Sequence, residues 1–141
     1  MKNIRLLLIA VPFILFSCSK GGDSPTPPTP PPVIPAESAV AFAVTQDPGV
    51  GNILGVLGTS QIINVKVSST LPTAGVNIDV TVKKDLDNST VFTASASSVA
   101  LDNSVTIIGL TPGVICTVTI VVTSKSTSTN NKTATFKLAA K

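Results

Sequence analysis

The stretch VNIDVTVK at residues 76–83 decides the fold class, because its side chains alternate strictly between apolar and polar. The two sets are Val76, Ile78, Val80 and Val82 against Asn77, Asp79, Thr81 and Lys83. Successive side chains of a β-strand point to opposite faces, whereas an α-helix repeats every 3.6 residues. The alternation therefore predicts a half-buried antiparallel strand with its aliphatic face in a core and its polar face in water.

Other segments repeat this pattern on both sides of the first one. Residues 116–123 place Cys116, Val118, Ile120 and Val122 inward and mostly threonine outward. Shorter segments of the same kind lie at residues 39–45, 62–68, 91–97, 105–108 and 133–138. Turn sequences rich in Gly, Pro, Asp and Asn separate them, and no stretch has a helical period. We predict an all-β fold with seven strands in a single antiparallel β-sandwich over residues 36–141.

Residues 105–122, VTIIGLTPGVICTVTIVV, resemble the E strand, EF corner and F strand of fibronectin type III domains. In that family a leucine fills the core, a Pro-Gly pair turns the chain, and a tyrosine follows three residues after the glycine. Leu110, Pro112 and Gly113 match, whereas Cys116 stands where the tyrosine would be. A thiol cannot make the phenol's hydrogen bond to the backbone. The resemblance implies a fibronectin type III-like or other immunoglobulin-like sandwich.

The first 17 residues have the order of features of a signal peptide. Lys2 and Arg5 precede an apolar run of eleven residues, LLLIAVPFILF at positions 6–16. A membrane-spanning helix needs roughly 20 apolar residues, so the run has the length of a signal-peptide hydrophobic region. We predict that residues 1–17 are a cleaved signal peptide.

The four residues Leu15-Phe16-Ser17-Cys18 resemble the lipobox of bacterial lipoproteins. In that family a small residue precedes a cysteine whose thiol takes a diacylglycerol. The resemblance implies that Cys18 is the lipidation site and that its acyl chains hold the mature protein on a membrane. The alternative is an ordinary secretory signal followed by an unrelated cysteine.

The residues after the cysteine indicate the outer membrane. Ser19 directly follows the cysteine, and in lipoproteins a residue other than aspartate at this position favours transfer to the outer membrane. The sequence SKGGD at residues 19–23 is similar to the export tag of surface lipoproteins in Bacteroidota. We expect a lipid-anchored outer-membrane protein facing outward, with the periplasmic face as the alternative.

Residues 18–35 are predicted to be a tether between the lipid and the β-domain. Seven of the twelve residues from 24 to 35 are proline. Proline fixes φ and lacks an N–H, so this segment favours polyproline II, which reaches roughly 37 Å over twelve residues at about 3.1 Å each. The alternative is a PxxP ligand for an SH3-like domain. We interpret the segment as a spacer.

Charge and composition exclude several function classes. From residue 18 onward eight lysines and no arginine stand against seven acidic residues, which gives a balance of +1. This balance and the lack of a basic run predict no nucleic-acid partner. The chain has no His, Trp or Tyr and no recognisable pair of carboxylates. We therefore expect no enzyme, no metal and no other cofactor.

Three segments are local candidates, each with an alternative. Cys116 is either a reactive thiol or a small buried hydrophobe, and its inward neighbours favour the core. The sequence DLDNST at residues 85–90 offers oxygen ligands for calcium but suits a hairpin turn better. The glycine-rich segment DPGVGNILGVLG at residues 47–58 is either a first strand crossing between sheets or an exposed apolar loop.

The expected function is a membrane-anchored surface lipoprotein that displays a non-catalytic interaction or spacer module. Its partner would be a protein at the cell surface, and the threonine-rich faces and sheet edges suit β-augmentation. The alternative is a glycan- or other ligand-binding module of a surface uptake or adhesion system. Such sites commonly stack sugars on Trp or Tyr, whereas the mature chain offers only Phe42, Phe92 and Phe136.

Overall fold

Eight β-strands and no helix make up residues 35–141, the part of the chain that the structure, a computed structural model, describes. The strands are β1 (Phe42–Val44), β2 (Ile53–Val56), β3 (Ser60–Val67), β4 (Val76–Lys84), β5 (Thr90–Ser98), β6 (Asp102–Ile108), β7 (Ile115–Ser124) and β8 (Asn131–Ala140). The predicted signal peptide, the lipidation of Cys18 and the tether up to residue 34 lie outside the described residues. The all-β prediction is confirmed.

The strands form two sheets. The smaller sheet has the order β1-β3-β6 and is antiparallel throughout. The larger sheet has the order β2-β8-β7-β4-β5 and is antiparallel except for the parallel pair of β2 and β8. Three and five strands therefore face each other in a sandwich-like, two-layer arrangement around a shared core.

Alternating side chains of both sheets fill that core. The smaller sheet contributes Ile63, Val65, Val67 and Ile107, and the larger one contributes Val76, Ile78, Val80, Val82, Cys116, Val118, Ile120, Val122, Phe136 and Leu138. All of them are buried, whereas the residues between them on β4 and β7 are half-buried or exposed, apart from Ser124 at the end of β7. The predicted inward and outward faces of these two strands are confirmed.

The corner between β6 and β7 is fixed to both the core and the end of β8. Leu110 is buried, and its N–H donates to the Thr59 carbonyl over 3.0 Å. Gly113 has a φ of 77°, and its N–H donates to the Ala140 carbonyl over 2.9 Å. The leucine, proline and glycine that carry the fibronectin-like pattern therefore form a buried plug and a turn.

The prediction of seven strands is wrong, because residues 47–58 contain an additional strand. β1 belongs to the smaller sheet, whereas β2 pairs with β8 in the larger one. The chain crosses between the sheets through Gly49 and Gly51, which have φ values of 85° and 80°. Left-handed backbone of this kind favours glycine. The predicted crossing between the sheets is found, but the chain crosses as a loop between two separate strands, and Val50 in that loop is fully exposed.

No helix occurs in residues 35–141, so this part of the chain contains no helical segment that could cross a membrane.

Candidate functional site

The point where the chain enters the β-domain is tied to the loop between β7 and β8. The Ser124 hydroxyl donates to the Glu37 carboxylate over 2.5 Å. Asn130 accepts the Val40 N–H over 2.8 Å and donates to the Ser38 carbonyl over 2.9 Å. The hydrogen bond from the Ser124 hydroxyl lowers the pKa of Glu37 more than any other contact does. These contacts place the start of the domain at the end of the sheet where β7 finishes.

At the opposite end of the larger sheet, its outer face carries an apolar surface. We call it the distal surface and define it by Ile53, Gly55, Leu86, Ile115 and Ala139. Gly55 and Ile115 both pair with Ala139, so these three lie in one row across β2, β8 and β7. Ile53 is 46% exposed, Ile115 40% and Leu86 95%. The side chain of Lys141 lies over Gly55, since a Cβ placed on this glycine would be 3.3 Å from Lys141 Cε and 3.5 Å from its Nζ.

The distal surface lies far from the start of the domain. Ile115 begins β7, and Ser124, which contacts Glu37, ends it nine residues further along. At about 3.4 Å per residue the two ends of this strand are roughly 30 Å apart. The apolar surface and the entry point of the chain are therefore at opposite ends of the domain.

An ion pair lies beside the apolar row. The Lys137 ammonium donates to one oxygen of Asp85 over 2.6 Å, and the Thr117 hydroxyl donates to the other over 2.5 Å. These two hydrogen bonds hold the pKa of Asp85 below its usual range, and the one from Lys137 has the larger effect. Lys137 pairs with Ile53 on one side and with Thr117 on the other. The carboxylate therefore stays ionised and is occupied by neighbours from β7 and β8.

The turn between β4 and β5 explains the position of Asp85 and Leu86. Asn88 has a φ of 57°, and its N–H donates to the Lys84 carbonyl over 3.0 Å. The Asp87 carboxylate accepts the Ser89 N–H over 2.9 Å, as aspartate does in tight turns. The hairpin-turn interpretation of residues 85–90 is thus confirmed. Within residues 35–141 no three His, Cys, Asp or Glu side chains are grouped to hold a metal ion.

Cys116 lies in the core, as its alternating neighbours predict. It is 1% exposed and is a free thiol. Burial, and secondarily the negative charge of Asp85, raises the pKa of this thiol. The thiolate, which is the reactive form of cysteine, is therefore disfavoured at neutral pH.

The aromatic side chains contribute to packing rather than to an exposed platform. Phe136 is buried, and Phe42 and Phe92 are half-buried against the same core. A sugar-stacking site needs an aromatic face open to solvent. All three phenylalanines in the described part of the chain are at least partly buried against the core.

Sequence reasoning found Cys116, the turn and the exposed apolar segment at residues 47–58, but it did not bring Ile53 of that segment together with Leu86 and Ile115. Ile53, Leu86 and Ile115 come from three separate segments that meet only through strand pairing. One signal was available, since Leu86 is an apolar residue inside the otherwise polar turn sequence DLDNS. A large exposed aliphatic side chain at a turn commonly marks a contact surface when others lie beside it.

Comparisons with known proteins assign no family to the chain. No protein-family model matches it, and no curated protein matches it. Among solved structures, it is similar to the sensor domain of the anti-sigma factor RsgI4 of Pseudobacteroides cellulosolvens, determined in solution. That similarity has 19% sequence identity and a TM-score of 0.44, and it covers 72% of this chain and 76% of the other.

Proposed function

We propose that this chain is a lipid-anchored protein of the outer membrane whose β-domain is a non-catalytic module that binds a protein partner through the distal surface. The observation that carries the proposal is the position of Ile53, Leu86 and Ile115 at the end of the domain opposite Glu37. A tether from Cys18 would join the domain near Glu37, at the end opposite the distal surface. The apolar surface would then be available to a partner.

The chemistry of the surface supports a protein partner. Interface centres are apolar and poor in charge, with polar groups around them. Ile53, Ile115 and Leu86 supply the apolar part, and the charges of Asp85 and Lys137 are already paired with each other. The ammonium of Lys141 lies beside Gly55 and adds a positive charge to this surface. Binding would therefore remove aliphatic surface from water without leaving an unpaired carboxylate. The at least partial burial of all three phenylalanines of residues 35–141 favours a protein over a glycan.

For the domain we propose a fibronectin type III-like or other immunoglobulin-like topology. The strand pairing supports it when β1, β3 and β6 are taken as strands A, B and E, and β4, β7 and β8 as C, F and G. Buried Leu110 and the turn at Gly113 agree with the EF corner of that family. An experimental structure whose strand order differs from this assignment would contradict the topology.

The lipid anchor is tested on the native N-terminus. We expect the mature chain to begin at Cys18, to carry the mass of fatty acyl groups and to partition into the detergent phase. A Cys18→Ser variant should lose the acyl mass and partition into water. Surface exposure is measured separately by treating intact cells with protease. A native chain that starts elsewhere, without acyl mass, contradicts the anchor but leaves the β-domain unchanged.

The partner site is tested by crosslinking on intact cells with two matched variants. Ile115→Lys places a charge in the distal surface, whereas Thr133→Lys places one on the same outer face near the other end of the sheet. We expect the crosslinked partner to be lost with Ile115→Lys and retained with Thr133→Lys. Equal recovery with both variants would show that the distal surface is not the contact.

A further inference from the structure

Apart from a bulge near its start, the edge of the larger sheet at β5 lacks the features that usually prevent edge strands from pairing. Exposed edges are commonly shortened, charged or interrupted by proline. β5 has nine residues, TVFTASASS, with neither charge nor proline. The remaining edges are shorter or charged. β1 has three residues and β2 has four. β6 begins at Asp102, whose carboxylate forms an ion pair with Lys66 over 4.0 Å. Among the described strands, β5 offers the longest unprotected edge.

The regular part of this edge runs from Phe92 to Ser98. The register with β4 shifts between Val82 and Lys83, which leaves Val91 as the extra residue of a bulge. Beyond that bulge the seven pairs from Phe92 to Ser98 are continuous. A seven-residue segment has Ser95 at its centre.

The backbone groups that point away from the sheet can be assigned. A Cβ placed on Gly75 would collide with the carbonyl oxygen of Ser98, so this carbonyl faces β4. In an antiparallel pair, residues that bond to the neighbouring strand alternate with residues that face the other way. Thr93, Ser95 and Ser97 therefore direct their N–H and C=O groups outward, where no strand of the described chain pairs with them.

The inner face of β5 extends beyond the smaller sheet. Phe92 and Ala94 are only half-buried and Ala96 is exposed, although all three point to the side of the core. Five strands facing three leave this margin uncovered. A further strand beside β5 would hydrogen-bond with its edge and cover part of its apolar margin.

We infer that β5 pairs antiparallel with β5 of a second copy of this chain, about a two-fold axis at Ser95. The register places Thr93 opposite Ser97 and Ala94 opposite Ala96, so small side chains meet on both faces. The pairing brings no like charges together, because Asp79 and its symmetry mate are three strand spacings apart. This is roughly 14 Å, which exceeds the screening length of about 8 Å in physiological salt. The contact uses a different part of the domain from the distal surface.

The pairing is tested by cysteine crosslinking of the purified full chain. Opposite residues in an antiparallel pair have Cα atoms about 5.5 Å apart, so Ser95→Cys would place two thiols together on the axis. Ala43→Cys is the matched control, because it places an exposed thiol on β1, an edge of the other sheet. The parent chain reports any reaction of Cys18 and Cys116.

With a short bifunctional maleimide we expect Ser95→Cys to give a covalent dimer that persists on dilution. The yield of this dimer should be at least tenfold above that of the Ala43→Cys control. Adding Thr93→Pro should reduce that yield to the control level, because it removes an outward N–H while leaving the bonds to β4 intact. An unchanged circular dichroism spectrum would verify folding. Equal dimer yields from Ser95→Cys and Ala43→Cys, or a yield insensitive to Thr93→Pro, would overturn the inference.

Discussion

Gly75 should be the glycine whose replacement costs this domain the most. Gly75 and Gly113 both have left-handed backbone, with φ values of 82° and 77°. Such a conformation costs a non-glycine residue about 1–2 kcal/mol of conformational free energy. Nothing lies within 4 Å of a Cβ placed on Gly113, so Gly113→Ala should cost only that amount.

At Gly75 the same substitution also meets the neighbouring strand. The new Cβ would overlap the Ser98 carbonyl oxygen and approach Val99 Cγ1 to 3.0 Å. Relieving the overlap requires a shift of β5, and overpacking of this kind adds about 1–3 kcal/mol. We therefore expect Gly75→Ala to reduce the free energy of unfolding by about 2–5 kcal/mol, against about 1–2 kcal/mol for Gly113→Ala.

The measurement is urea unfolding followed by circular dichroism, because the chain has no Trp or Tyr to serve as a fluorescent probe. The free energy of unfolding of a domain is typically about 5–15 kcal/mol, so both losses can be measured by this method. Equal losses for the two variants would refute the close contact between Gly75 and β5. They would also remove the basis for assigning the outward backbone groups of that strand.

Three further predictions concern the core and the ion pair. Ile120→Ala should lower the free energy of unfolding by about 2–5 kcal/mol, since Ile120 is fully buried. Thermal unfolding measures this loss. A loss under about 1 kcal/mol would contradict a core filled from both sheets. Cys116 should resist maleimide at pH 7 in the folded protein and react fully in urea, because its thiol is buried and its pKa is raised; mass spectrometry counts the adducts, and rapid native labelling would disagree. Lys137→Met should destabilise the protein by at most about 1 kcal/mol at pH 7. The lowered pKa of Asp85 means that this contribution is present above about pH 4 and is lost as the pH falls further, so unfolding curves of parent and variant should converge in acid. A difference that does not shrink as the pH falls below about 4 would exclude the ion pair as its cause.

The strands were predictable where one face is buried. On β4 and β7 nearly every second position is apolar and buried, whereas Ile115 and Val121 are apolar residues on the outer face of β7 that the structure leaves exposed or half-buried. β2 could not be predicted as a separate strand, because ILGV has four residues and no alternation. Its position is set by parallel pairing with β8, whose paired residues are 84 positions away in sequence, so the pairing leaves no local pattern.

The candidate site was less predictable than the fold. The turn residues Asp87 and Asn88 act through their own backbone, so the sequence alone indicated their role. Asp85 was predicted as part of a turn, with a calcium ligand as the alternative, whereas it accepts hydrogen bonds from Thr117 and Lys137 on two other strands. Such contacts depend on which strands are neighbours, and composition does not encode that.

The sequence by itself determined the all-β class, the inward position of Cys116 and the turn at residues 85–90. These properties follow from side-chain alternation and turn chemistry, which act over a few residues. Only the tertiary structure decided that the chain changes sheets at Gly49 and Gly51, and that Ile53, Leu86 and Ile115 share one surface. Strand order and register bring together residues that are distant in sequence, and the pairing energy is spread over whole strands rather than held in any local motif.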